Sequence, residues 1–242
     1  MSATLTVYRR ELKAYFDTPI AAIFIAMLVG LLSYFLFNDS LFFVQERAEM
    51  RSFFQQMPLM LMVFAPVITM RLWADEFRVG TAEILQSMPM RTRSLVLGKY
   101  FAALTVLAAA LVATAGVPIA IGQLGNPDWG PILGGYFGSF FLGAFFVAVG
   151  CWASSLSENQ VISMLIGVLI GVIFTLVLTQ RLGAILSGDS ETMARWVEAL
   201  GVQSHFGSIE RGVLALSDVV YFAAGSVFFL VLNVFQVERR RF

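Results

Sequence analysis

An all-α integral membrane fold of six transmembrane helices is what this sequence predicts, on three observations. The 242 residues are 58% hydrophobic and 13% charged, with a mean hydropathy of +0.80, whereas soluble domains carry about 25% charged residues. The remaining charge is gathered into blocks instead of being spread along the chain. Between the blocks lie six apolar stretches, near 19–37, 53–70, 100–121, 131–152, 160–180 and 219–236, none containing a charged residue. About 20 residues of helix cross a 30 Å hydrocarbon core, so each stretch is long enough to span. With no long linker, repeat or low-complexity segment, residues 1–242 read as a single transmembrane domain.

Each element has its own justification. In residues 1–18, Leu5, Tyr8, Leu12, Tyr15 and Phe16 form a stripe at helical spacing, with Arg9, Arg10, Glu11 and Lys13 largely on the other side. That pattern predicts an N-terminal amphipathic helix lying in the membrane interface. A secretory signal peptide is disfavoured, because no small-residue cleavage site follows the next apolar run. Asp17-Thr18-Pro19 supplies a cap and an initial proline for the first span. The second stretch contains Pro58 and Pro66 and begins with Gln55 and Gln56, which predicts a kinked span whose freed carbonyls find partners on neighbouring helices. Gly134-x-x-x-Gly138 and Gly167-x-x-x-Gly171 permit close helix approach and are read as packing features.

The longest charged and punctuated segment runs from Trp73 to Tyr100. It carries Asp75, Glu76, Arg78, Glu83, Arg91, Arg93 and Lys99, which must sit in water or against a partner because burying them in lipid costs too much. Gly80 interrupts the helix leaving the second span, and Thr81 is placed to cap a new one. Glu83 then falls in a first turn, where the helix dipole favours a carboxylate. Ile84 and Leu85 give this short helix an apolar contact, Pro89 ends it, and Thr92 or Ser94 can cap the third span. On spacing alone, a helix held between two spans and a solvated linker fit equally well.

The segment 181–218 shows Met193, Trp196, Val197 and Leu200 at helical spacing, with Ser190 as an N-cap and Gly201 as a stop. A second short pattern runs through Ile209, Val213 and Leu214. These read as short helices before the sixth span, resting on or dipping into the outer leaflet; an ordered loop packed on the bundle fits as well. Orientation follows from the basic residues. With six spans, the side holding both termini and residues 71–99 carries eleven Lys and Arg, and the other, of nearly equal length, carries five. The bias puts both termini and the charged segment in the cytoplasm.

The chemistry that is missing narrows the function. The only Gly-Lys pair is Gly98-Lys99, followed by Tyr100, and Arg93 stands where the first glycine of a phosphate-binding loop belongs. The chain is therefore expected to bind no nucleotide, metal or other cofactor and to be no enzyme. No ionisable residue falls within the six stretches, which disfavours an ion-coupled mechanism. Equal numbers of acidic and basic residues, 16 each, give no reason to expect a nucleic-acid partner. Ser204-His205 suggests half of a nucleophile–base pair, but no acidic third member is evident. Met57, Met60 and Met62 are read as core filling in preference to a soft-metal site, and Cys151 as a small buried hydrophobe.

Glu76-Phe77-Arg78-Val79-Gly80-Thr81-Ala82-Glu83-Ile84-Leu85, then Ser87-Met88-Pro89 and Leu97-Gly98-Lys99, resembles the signature of type-2 ABC transporter permeases: E-x-x-x-G-T-x-E-x-L, a short gap, S/T-P, and a later L-G-K. Met88, between Ser87 and Pro89, is the one departure. Ser204-His205-Phe206, Arg211-Gly212-Val213 and Asp218-Val219-Val220-Tyr221 resemble the end of the gliding-motility GldF-like branch. The resemblance implies a permease subunit of an ATP-driven exporter in the bacterial inner membrane. It also implies a second permease copy, a separate ATPase subunit holding ATP and Mg, and, in this branch, a membrane subunit with a large extracytoplasmic domain. Glu76, Gly80, Thr81, Glu83 and Leu85 would form a cytoplasmic coupling helix between spans 2 and 3, braced by the N-terminal helix with Arg9, Arg10 and Lys13. The alternative is a mechanotransmission complex that moves an extracytoplasmic partner without transporting anything. Trp196, His205, Phe206 and Arg211 would then meet that partner.

Overall fold

The computed structural model describes residues 3–38, 50–82, 90–125, 127–178, 199–210 and 215–240, and every regular element among them is helical. The chain opens with α1 (Ala3–Asp17) and α2 (Ile20–Asn38). Next come α3 (Arg51–Gln55), α4 (Met57–Thr69) and α5 (Arg71–Val79). They are followed by α6 (Thr92–Ala113), α7 (Gly116–Leu124) and α8 (Trp129–Ser154). The last three are α9 (Gln160–Val172), prolonged by a π turn (Ile173–Val177), then α10 (Val202–Glu210) and α11 (Leu216–Arg239). Five helical stretches are long and apolar enough to cross a membrane: α2, α4 with α5, α6 with α7, α8, and α11. The sixth, α9 with its π turn, is apolar but shorter.

The helix at the centre is α8, which packs against α4, α5, α6, α9, α10 and α11. Asp128 starts it by accepting from the Gly130 amide (3.1 Å). Small residues let its neighbours in: a Cβ at Gly138 would stand 2.1 Å from Ile209 Cγ2. On α9, a Cβ at Gly171 would meet Met62 Cγ at 2.6 Å and one at Gly167 would meet Pro66 Cβ at 3.0 Å. Both small-xxx-small spacings therefore do mark close packing. Met57, Met60, Met62 and Cys151 are all buried in the same core.

Several boundaries differ from those the apolar stretches predict. Pro58 does not interrupt the second span; it sits in the first turn of α4, where its missing N–H costs nothing, and Pro66 lies within the helix. The helix then continues past 70 through α5. At the junction Ser154 Oγ accepts from the amides of Trp73 (3.0 Å) and Ala74 (3.3 Å) and donates to the Met70 carbonyl (2.8 Å). A side chain inserted into the backbone ladder in this way bends a helix without ending it. The third span starts at Thr92, not 100, and neither Thr92 nor Ser94 caps it: the N-cap is Arg91, with no side-chain bond. Thr18 likewise closes α1, donating to the Ala14 carbonyl (3.0 Å), and does not open α2. The charged segment thus shortens from both sides, and Lys99 lies inside a helix, 1% exposed.

Candidate functional site

Where α1, α5 and α6 meet, four charged side chains form a clasp. Lys99 Nζ donates to the Leu72 carbonyl (2.6 Å) and pairs with Glu76 Oε1 (2.9 Å) and Glu11 Oε1 (3.2 Å). Arg10 Nη2 reaches Glu76 Oε1 (2.7 Å) and also pairs with Glu11. Val7 packs where a Cβ on Gly98 would stand 2.8 Å from Val7 Cβ, so the glycine lets α1 lie directly on α6. One helical turn past Val7, Glu11 then reaches the residue after that glycine. A lone buried ammonium would be prohibitively costly, but two carboxylates and a carbonyl satisfy all three of its donors. Burial raises the Glu11 carboxyl, and the Lys99 charge and Arg10 hydrogen bond outweigh it, so the net shift is downward. Glu76 Oε2 is buried and finds no hydrogen-bond partner among the described residues.

A stack of rings extends the clasp to the C-terminal helix. Lys99 Nζ sits 4.8 Å from the Trp73 ring centroid, Trp73 stacks on Phe77 at 5.9 Å, and the Arg240 guanidinium lies 4.5 Å from the Phe77 ring. Arg240 also donates to the Leu156 carbonyl (2.8 Å), just before α9. Asp75 accepts from Gln160 on α9 and pairs with Arg78 (3.2 Å). Through α5, then, one end of the bundle is tied to α1, α6, α9 and the end of α11. Beyond this knot α5 stops at Gly80 in the left-handed conformation (φ 75°), with Arg78 and Val79 exposed.

Of the residues named for coupling, Glu76 is in the clasp and Gly80 is the turn. Thr81 donates back to the Glu76 carbonyl (3.4 Å), finishing α5. Glu83 and Leu85, with the helix they would occupy, lie outside the described residues. Of the three brace residues, Arg10 binds Glu76, while Arg9 and Lys13 are exposed. The sequence reading missed Glu11 and Lys99 as site residues. Their signal was present: Glu11 lies on the polar side of the N-terminal stripe, and Lys99 directly follows Gly98.

At the opposite end, His205 forms a second polar cluster. Its Nδ1 is 2.9 Å from Asp218 Oδ1 and its Nε2 is 3.1 Å from the Ala199 carbonyl oxygen. Ser208 Oγ bonds Asp218 Oδ2 (2.5 Å), and the Tyr221 ring stacks on the imidazole at 4.0 Å. An acidic partner for His205 therefore exists, and Ser204 Oγ donates to the Gly201 carbonyl (2.7 Å). Phe206 is buried in the core, 1% exposed, and so does not present its ring to an outer partner. Trp196 and Arg211 lie outside the described residues.

The sequence profile of the family described as "ABC-2 family transporter protein" matches residues 13–235. No curated protein matches the chain.

Proposed function

The chain belongs to the ABC-2 transporter family, a family of multi-pass membrane permease subunits, and from that premise we propose how it is driven. It is the permease of an ATP-driven exporter in the bacterial inner membrane, with the α1–α5–α6 clasp facing the cytoplasm. A separate ATPase subunit, which holds the ATP and Mg, presses on the segment after Gly80. A second permease copy completes the bundle. Lys99 of the Gly98-Lys99 pair is neutralised inside a helix, which fits ATP being held by the separate subunit.

The clasp is the observation that carries this reading. A push on the Gly80–Thr81 turn acts on α5, and α5 is fixed to α1, α6, α9 and α11 by ion pairs, ring stacking and hydrogen bonds. The load is shared among several helices. The mechanotransmission reading uses the same inner machinery but delivers the motion through α10, which packs on α3, α8 and α11 at the far end.

Co-purification and reconstitution test both. The permease should retain an ATPase subunit and alter its hydrolysis rate, and Glu83→Arg should abolish that change without unfolding the bundle. If no ATPase binds, or Glu83→Arg leaves hydrolysis untouched, the coupling reading fails. ATP-driven efflux from vesicles holding only permease and ATPase would exclude the mechanotransmission alternative.

A further inference from the structure

We propose that His205, Asp218 and the Ala199 carbonyl form a proton-binding latch, which holds the chain entering α10 onto α11 when protonated and releases it when the proton leaves. The inference rests on hydrogen-bond accounting and does not depend on the coupling reading. A backbone carbonyl can only accept, so the 3.1 Å contact from His205 Nε2 to Ala199 requires a hydrogen on Nε2. The 2.9 Å contact between Nδ1 and Asp218 Oδ1 requires a second hydrogen between those two atoms. A neutral imidazole beside an ionised carboxylate supplies only one of the two. Making both hydrogen bonds at once therefore takes an additional proton.

The surroundings favour placing it on the imidazole. Asp218 lies in the first turn of α11, where the helix dipole favours the carboxylate, and Ser208 Oγ bonds its other oxygen. The Tyr221 ring lies nearly parallel to the imidazole, tilted by 17°, a placement that suits a cation. Among the described residues, α3 carries Arg51, which is exposed, and α4, α8 and the π turn carry no charged side chain. The tyrosine in contact with the imidazole is Tyr221 on α11.

Loss of the proton breaks one tether whichever tautomer remains. With the hydrogen on Nε2, the Nδ1 lone pair faces the Asp218 carboxylate; with it on Nδ1, the Nε2 lone pair faces the Ala199 oxygen. Tyr221 still donates to the Leu200 carbonyl (2.6 Å), so the segment loosens without detaching. The sign follows from the hydrogen count: both contacts together need the proton, so the tether is complete at low pH and lost as pH rises.

His205 is the only histidine in the chain, so its imidazole nitrogens can be followed alone. The full-length protein, carrying 15N-histidine in lipid nanodiscs, would be scanned from about pH 5 to 9, across the usual imidazole range. The latch predicts imidazolium shifts at low pH giving way to a neutral tautomer. It also predicts amide-exchange protection at residues 199–203, corrected for intrinsic rate, that falls by up to about tenfold per pH unit through the same transition. Asp218→Asn should flatten that profile. A neutral single tautomer at every pH, or protection at 199–203 that does not change with pH in the wild-type protein, would overturn the proposal. Because the wild-type scan decides the matter, a variant that misfolds leaves the test intact.

Discussion

Lys99 shows how one residue can hold three helices. Its ammonium is 1% exposed and is compensated by Glu11, Glu76 and the Leu72 carbonyl. Lys99→Met removes the buried cation of the clasp and leaves Glu11 and Glu76 with only Arg10, which is half exposed. Breaking a buried pair by removing one partner costs about 3–5 kcal/mol, so the unfolding midpoint in detergent should fall by roughly 10 °C. Acid should act on the same group. The Glu11 carboxyl is held below its ordinary value of 4.5, so its contribution is complete above that pH and is lost as pH falls through the lower, folded value. Acid unfolding of Glu11→Gln, compared with wild type, should show a flatter pH dependence below 4.5.

Among the elements, α1 and α5 depend most on single glycines. A Cβ at Gly98 meets Val7 at 2.8 Å and the Thr4 carbonyl oxygen at 3.0 Å, and the Thr4 side is backbone that cannot swing away. Gly98→Val should lift α1 from α6, cost about 1–3 kcal/mol, and expose the turn near Pro19 to protease. Gly80 raises a different question, because nothing among the described residues crowds it, while its φ of 75° is demanding. Left-handed residues cost about 1–2 kcal/mol unless they are glycine, and asparagine tolerates the conformation better than most. Thermal stability should therefore follow Gly80 > Asn > Ala > Val, an order that a steric explanation would not give for Asn and Ala. The first span shows how much was legible without coordinates. Its apolar run predicts 19–37 and the helix is Ile20–Asn38, because an uninterrupted apolar stretch leaves lipid or protein as its only surroundings. The third span was misjudged by eight residues because Lys99 reads as solvated until the two carboxylates from distant positions are known to meet it.

For the whole molecule, orientation is what labelling can test. The basic-residue bias supports a cytoplasmic location for the two termini. Cys151 is the sole cysteine and is buried, so a Cys151→Ala background allows single reporters. Cysteines replacing the exposed Arg9 and Arg239 should label from the cytoplasmic face, and one replacing Asp128 from the opposite face. Labelling of all three from one side would refute the topology.

The sequence by itself determined that this is a helical membrane protein with about six apolar segments, and that one charged interruption near Gly80 stands apart. Hydropathy, helix-breaking residues and charge bias are local properties, so they can be read along the chain. Only the tertiary structure decided that Lys99 belongs to a helix, that Arg10, Glu11 and Glu76 hold it, and that Asp218 is the missing partner of His205. Those pairings join positions up to 88 residues apart, and whether a charge is buried or wet depends on what the fold brings beside it.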